Sequence, residues 1–497
     1  MDPLEQARLF LDRFQANVNL QDPLPIRVPI YHLKHDEIEP AIVVWTRTYL
    51  DQFDCPQCLL TPITRIVVDA VLKRCEENAE SCGYVGNDYK PLQFNHEVIS
   101  RVNATCMELL DNVRLNNLLA TMRPQQAMDE PDSVANGAQD SGHMMRPFYV
   151  SKDFKNKRRS MEDRHVCLPD FNKLFQTRDT EPTAFYGVYD GHGGQDAASF
   201  AASHLHYYIA QSEHYPHDMA QAFQEGFLKT DRLFCGKGED YYLNSGSTAV
   251  VCFHRIASRQ VDVAWVGDSQ AMIVKRTPGS NLYQQLVHPT HSPNNPHDLM
   301  LSMFVDHSQD ERERIEALGG AVMFWCGSFR VNGQLAVSRA IGNRQAKPSV
   351  SADPGISLNK LTDDDLFLVM ASDGLWEACN EYFVSMFVLY ALRKFPIRSY
   401  VISADDNDDD RWSAAGTLMV VSIRPFSGGG PLALSPVISR FPWHDRDLAK
   451  NGWCWMKAHR PPRLQETVAS GFDFRSTFRP TVKVEPTNPV GGIATER

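Results

Sequence analysis

Tyr189-Asp190-Gly191-His192-Gly193-Gly194, preceded by the apolar run Phe185–Val188, reads as a buried strand ending in a carboxylate and a glycine-rich turn. A carboxylate at a strand's end is held rigidly, and the glycines after it let a backbone carbonyl and a ligand approach closely. The same logic recurs where the apolar stretch Leu366–Ser372 runs into Asp373-Gly374. A third acidic pair, Glu162-Asp163, lies just before His165-Val166-Cys167-Leu168. Three acidic strand edges, with Arg158 and Arg159 beside one of them, suggest hard cations and a phosphate group.

The composition bounds the setting. The chain has 497 residues, 43% hydrophobic and 22% charged, enough for two or more domains with one large core. A net charge of −11 argues against nucleic acid as a partner, so phosphate chemistry here must use local arginines and metals. Met1-Asp2-Pro3-Leu4 has neither the basic nor the apolar region of a secretory leader, and no window approaches a membrane span. The 11 scattered cysteines fit a reducing compartment, so the expectation is a cytoplasmic protein with access to the nucleus. Cys55-Pro56-Gln57-Cys58 has no second pair to complete a zinc site and is read as structural.

The region 1–120 reads as a helical domain. Asp2-Pro3 and Thr61-Pro62 look like N-caps followed by proline at the first helical position, and Val98, Val102, Leu109 and Val113 continue helical spacing. Targeting or partner binding is the role expected of it. Residues 121–146 are polar and small and read as a linker; 147–425 alternate strand-like and helix-like segments; 426–497 are rich in Gly and Pro and read as a largely disordered tail. Strands are expected at Thr248–Phe253, Val261–Val266 and Ala271–Lys275, the last two joined as a hairpin through Gly267-Asp268-Ser269-Gln270. Helices are expected at Gln195–Gln211, Asp218–Phe234 and Asp310–Leu318. Such alternation favours an antiparallel α+β fold.

Six blocks in order carry a resemblance: Arg158-Arg159-Ser160-Met161-Glu162-Asp163, Asp190-Gly191-His192-Gly193-Gly194, Ser245-Gly246-Ser247-Thr248-Ala249, Gly267-Asp268-Ser269, Leu335–Gly342 and Ser372-Asp373-Gly374-Leu375-Trp376. Together they resemble the metal-dependent (type 2C, PPM) protein serine/threonine phosphatases. With the helical extension, the chain looks most like the calcium/calmodulin-dependent protein kinase phosphatases (partners of PIX) and the nematode FEM sex-determination phosphatase. The resemblance implies a β-sandwich flanked by helix pairs, and two Mn²⁺ or Mg²⁺ ions with a weaker third. It also implies hydrolysis of phosphoserine and phosphothreonine proteins by an activated water, without a phospho-enzyme. By motif, Asp190 would bridge the metals, with the Gly191 carbonyl, Glu162 and Asp373 as further ligands and Asp268 at the third position. Asp163 would orient water, Arg158 bind the phosphoryl group and His192 act as general acid.

The pattern also breaks. The family's last metal aspartate precedes its final core strand, here Thr417–Ile423, but the adjacent residues are Ala414-Ala415-Gly416. The nearest Asp-Asn pair is Asp406-Asn407, in an acidic loop: either that loop bulges and Asp406 reaches the metal, or the ligand is lost. Gln270 and Asn343 stand where arginine and aspartate are usual, and residues around 297–308 look inserted near the family's flap. These departures leave a second reading open, a pseudophosphatase serving as scaffold or adaptor. Cys454 to Arg460 has the spacing of a cysteine-dependent phosphatase loop but holds Trp455, Met456 and Lys457 where that loop needs small residues, and is read as coincidence.

Overall fold

In the computed structural model, the run that leads to Asp190 forms a strand over Thr183–Tyr189, buried along its whole length. Residues 3–22, 25–121, 149–155, 158–276, 282–288, 291–293, 307–394 and 416–423 are described. Burial on both faces marks a strand between two layers, with successive side chains going to opposite sides. Ala184, Tyr186 and Val188 enter the interior between two sheets. Phe185 and Tyr189 point the other way, into a core shared with helices.

The chain opens with helices α1 (Pro3–Asn17), α2 (Ile38–Asp51), α3 (Gln57–Glu77), α4 (Pro91–Glu108) and α5 (Asn112–Thr121); a small ribbon, β1 (Tyr84–Val85) with β2 (Asp88–Tyr89), lies between α3 and α4. There follow β3 (Tyr149–Phe154), β4 (Arg164–Leu168), α6 (Phe171–Phe175), β5 (Thr183–Tyr189), β6 (Gly191–His192), α7 (Asp196–Gln211) and α8 (Met219–Tyr241). Strands β7 (Gly246–Ser247), β8 (Ala249–Arg255), β9 (Gln260–Val266), β10 (Gln270–Lys275) and β11 (Tyr283–Gln285) come next. Helix α9 (His307–Ala317) then leads to β12 (Val322–Trp325), β13 (Ser328–Val331), β14 (Ile341–Gly342), β15 (Gly355–Lys360) and β16 (Asp365–Ala371). The described chain ends with α10 (Asp373–Trp376), α11 (Glu381–Lys394) and β17 (Gly416–Ser422).

Two antiparallel five-stranded sheets, β15-β9-β8-β5-β4 and β11-β10-β16-β17-β3, make a sandwich. Val250, Val263, Ile273, Leu368 and Met419 interdigitate between them. The α+β class, with an antiparallel sandwich, helices outside it and a helical N-terminal region, is as expected.

Four local expectations are corrected. Gly267–Gln270 is not a hairpin turn: β9 belongs to one sheet and β10 to the other, so these residues cross between sheets. Gly267 has φ +91°, and a Cβ there would lie 2.6 Å from the Thr248 side chain, so the corner is folded against the start of β8. Thr61 is not an N-cap, because α3 begins at Gln57 and runs through Pro62, with the Thr61 hydroxyl donating to Asp170 instead. Helix α8 continues past Phe234 to Tyr241, and Val113 is 67% exposed and outside the core.

The N-terminal helices do not stand apart. Phe10, Leu59 and Val67 share one core with Phe200 and Leu205 of α7 and with the outer face of β5. A buried ion pair fastens the seam: Lys237 Nζ of α8 lies 2.9 Å from Glu37 Oε2 and donates to the His32 carbonyl at 2.7 Å. The linker expected at 121–146 (beyond Thr121, which ends α5) and the tail at 426–497 lie outside the described residues, as do Cys454–Arg460. No helix among the described residues is long and apolar enough to cross a membrane.

Candidate active site

Strand register brings the acidic edges together. In β4 and β5 Arg164 pairs with Tyr189, so Asp163, just before β4, sits at the same sheet end as Asp190, just after β5. Ala249 pairs with Val266, which sets Asp268 at that end. In the other sheet Gln270 pairs with Ala371, which delivers Asp373 there as well. A cleft of about 870 Å³ opens at this end, lined by Arg158, Glu162, Asp163, Asp190, Gly191, His192, Asp268 and Asp373. Every expected site residue that is described therefore meets in one place. Asp406 lies outside the described residues, as does most of the 297–308 stretch.

Each group is held by neighbours that the motifs supply. The Asp190 backbone is clamped by β7–β8: Thr248 N donates to the Asp190 carbonyl at 2.9 Å, and Asp190 N donates to Thr248 Oγ1 at 3.2 Å. Thr248 Oγ1 is in turn 2.7 Å from Ser269 Oγ, which ties the Asp268 corner to the same point. Gly191 must be glycine, because a Cβ there would lie 2.5 Å from the Glu162 carbonyl oxygen. Glu162 accepts from Ser160 Oγ at 3.3 Å and from Gly194 N at 3.4 Å. Asp163 Oδ2 accepts from Ser372 Oγ at 2.9 Å and from Thr417 Oγ1 at 3.2 Å.

The electrostatics show how closely the carboxylates crowd one another. Burial, and then the charges of Asp163, Asp373 and Asp268, hold the Asp190 carboxyl well above the usual carboxylate range. Burial and then Asp373 push Asp268 up to about 7. Burial pushes Asp163 up to about 6, with Asp153 and Asp373 adding and the two hydroxyl bonds opposing. Packed carboxylates raise one another in this way when no counter-charge lies among them.

Such a donor set fits hard divalent cations. No three His, Cys, Asp or Glu side chains among the described residues are already gathered into a group that could hold a metal ion. Small hard cations do not need one, because Mg²⁺ binds through one or two carboxylates and keeps several waters. Asp190, Asp373, Glu162, Asp268 and the Gly191 carbonyl are all oxygen donors of that kind.

Two residues lining the cleft carry roles that sequence reasoning had not assigned. Arg330, on the β12–β13 hairpin, lines the wall with Arg158 and Arg159; its Nη1 donates to the Gln334 carbonyl at 2.8 Å. Asn343, noted as a departure, has its Oδ1 2.8 Å from His192 Nε2, in the left-handed backbone region at φ +51°. Its side chain lies over Gly246, where a Cβ would fall 1.9 Å from Oδ1. Burial lowers the His192 pKa against that hydrogen bond. Arg339, by contrast, proves structural: with Arg314 it holds Glu311, pushed down to about 2 by their bonds against the effect of burial.

The comparisons agree with this geometry. The family model described as Protein phosphatase 2C matches residues 149–396. Human protein phosphatase 1F is 33% identical over 378 residues, covering 75% of this chain and 77% of the relative. The chain belongs to the protein phosphatase 2C family. Mouse protein phosphatase 1E is 34% identical over 364 residues, which cover 72% of this chain but only 42% of that longer protein. In fold, the solved structure of a C. elegans sex determining protein matches with a TM-score of 0.59 at 18% identity, covering 85% of this chain and 94% of its own.

Proposed function

We propose that the chain is a Mn²⁺- or Mg²⁺-dependent protein phosphatase that hydrolyses phosphoserine and phosphothreonine in protein substrates, in the cytosol or nucleus. The observation that carries this reading is the meeting of Asp163, Asp190, Asp268 and Asp373 in one cleft walled by Arg158, Arg159 and Arg330. Acid without counter-charge calls for cations, and arginine facing that acid calls for an anion that bridges the two. A phosphoryl group is such an anion.

Asp190, the Gly191 carbonyl, Glu162 and Asp373 would hold two cations, with Asp268 as a weaker third position. When bound, they supply a nucleophilic water at neutral pH and neutralise charge developing on the phosphoryl oxygens. Arg158 presents its planar fork to two of those oxygens and fixes the phosphorus in place. Asp163 accepts a hydrogen bond from the attacking water and orients it. Because an amide oxygen only accepts, Asn343 keeps a proton on His192 Nε2, so His192 acts as general acid from its imidazolium form: Nδ1 gives up the second proton to the departing serine or threonine oxygen and the ring returns to the neutral Nε2–H tautomer. No protein nucleophile takes part.

The test is phosphate release from a phosphothreonine peptide by the purified chain, with millimolar Mn²⁺ and then with chelator. Turnover that the chelator abolishes supports the proposal. Folded protein that releases no phosphate with Mn²⁺ replaces it with the scaffold reading.

A further inference from the structure

A chain of hydrogen bonds leads from the cleft to the edge of the sandwich. Thr417 Oγ1, at the start of β17, lies 3.2 Å from Asp163 Oδ2 and 2.9 Å from Asp153 Oδ1 on β3. Asp153 Oδ1 is also 2.9 Å from His165 Nδ1 on β4, whose Nε2 is 3.0 Å from Ser151 Oγ. Thr417 is itself fixed, because its amide donates to Ser372 Oγ at 2.9 Å, and Ser372 Oγ serves Asp163 as well.

Proton counting gives this chain a direction. A threonine hydroxyl has one proton, yet two carboxylates sit within its reach. Each carboxylate has one other side-chain donor, Ser372 Oγ for Asp163 and His165 for Asp153, and the one with the stronger donor competes less strongly for that proton. Burial raises the Asp153 pKa, but the charge and bond of His165, then the Thr417 bond and the Arg164 charge, together offset this and bring it below the usual range. His165 is drawn towards its charged form: burial lowers its pKa, but Asp153 and Asp51 together raise it above the ordinary value. Thr417 Oγ1 stands between the two, 2.9 Å from Asp153 and 3.2 Å from Asp163, and the charged donor on β4 shifts the sharing of its proton towards Asp163. Ser, His and Asp in this order resemble a nucleophilic triad, but here the carboxylate's further bond runs to Thr417 and on to the cleft.

We infer that His165 is a positioning residue for the phosphatase site: by donating to Asp153 it shifts the Thr417 proton towards Asp163, and so sets the carboxylate that faces the cations and their water. This rests on the reading of Asp163 as part of a cation-and-water site. Partners one bond behind a metal site typically change metal affinity or activity by about 10–100-fold when removed.

The test is a double-mutant cycle in the full chain. His165→Leu removes the donor; His165→Asn keeps an amide N–H near the Nδ1 position; Thr417→Val cuts the chain without changing shape. Mn²⁺ binding is read by calorimetry, turnover by hydrolysis of p-nitrophenyl phosphate, and melting temperature controls for folding. His165→Leu is expected to weaken Mn²⁺ binding or turnover about tenfold or more, and His165→Asn to retain most of both. If His165 acts through Thr417, His165→Leu adds little in a Thr417→Val background. Equal losses for Leu and Asn, or fully additive losses in the double variant, would overturn the inference. A wild-type chain that binds no Mn²⁺ would overturn the cation reading itself, and the role of His165 with it; that outcome is distinguished by the wild-type titration alone.

Discussion

Replacing Asp268 by Asn should stabilise the metal-free protein, although it removes a group from the site. The ionised carboxylate is disfavoured in the fold by burial and by Asp373, which together push it to about 7 from an ordinary 3.8. The sign is that of a raised acid. Its favourable contribution is complete below pH 3.8 and is lost as pH rises towards 7, so above neutrality the charge is a net cost. About three units at 1.36 kcal/mol each gives an upper bound of about 4 kcal/mol. Asp268 is only half-buried and its acidic neighbours can share protons, so about 1–3 kcal/mol is the expected gain. For a domain of this size that is a rise in melting temperature of about 2–6 °C. The assay is thermal unfolding in EDTA at pH 8 and pH 5, with a clearly smaller gain at pH 5 than at pH 8. Saturating Mn²⁺ should erase the difference by stabilising the wild type through binding. An Asn variant that melts at or below the wild type in EDTA at pH 8, or a gain independent of pH, would refute the reasoning.

Other sites give sharper single outcomes. Gly191→Ala puts a methyl 2.5 Å from the Glu162 carbonyl oxygen, so Mn²⁺-dependent phosphate release should fall at least 100-fold while the circular dichroism spectrum is kept. Lys237→Met leaves Glu37 buried without its cation and should cost about 3–5 kcal/mol in a urea melt, reported by both the N-terminal helices and α8 because they share one core. Glu311→Gln removes the anion between Arg314 and Arg339 and should cost a similar amount at pH 7. Since Glu311 is lowered from 4.5 to about 2, its contribution is present above pH 4.5 and lost as pH falls towards 2, so wild type and variant should converge in stability across that window.

How much of this was legible in the sequence depends on how local each signal is. Asp190, Asp373 and Glu162-Asp163 were readable because a strand, a carboxylate and a glycine turn are adjacent in the chain, and antiparallel register then brings all three to one end. The Gly267–Gln270 corner was misread because a four-residue turn between two alternating strands has the same local pattern whether it folds back or crosses to another sheet. What decides it is Thr248, about twenty residues away, whose side chain leaves room only for glycine at 267. Pro62 suggested a helix start because that is where proline is best tolerated, but α3 already runs from Gln57 and accommodates it. Helical periodicity showed that the N-terminal helices have apolar faces and not what covers them; Phe200 and Leu205 of α7 do. Arg330 belongs to no motif, and the His165–Asp153–Thr417 chain joins residues up to 264 positions apart, which no local pattern records.

The central claim, that the acidic cleft is a divalent-cation site, is tested most directly by calorimetric titration of the purified chain with Mn²⁺ beside Asp190→Asn. The expected result is two sites in the wild type, with the bridging position's heat lost in the variant and its fold intact. Identical titrations of wild type and variant, or no binding to either at millimolar Mn²⁺, would contradict it.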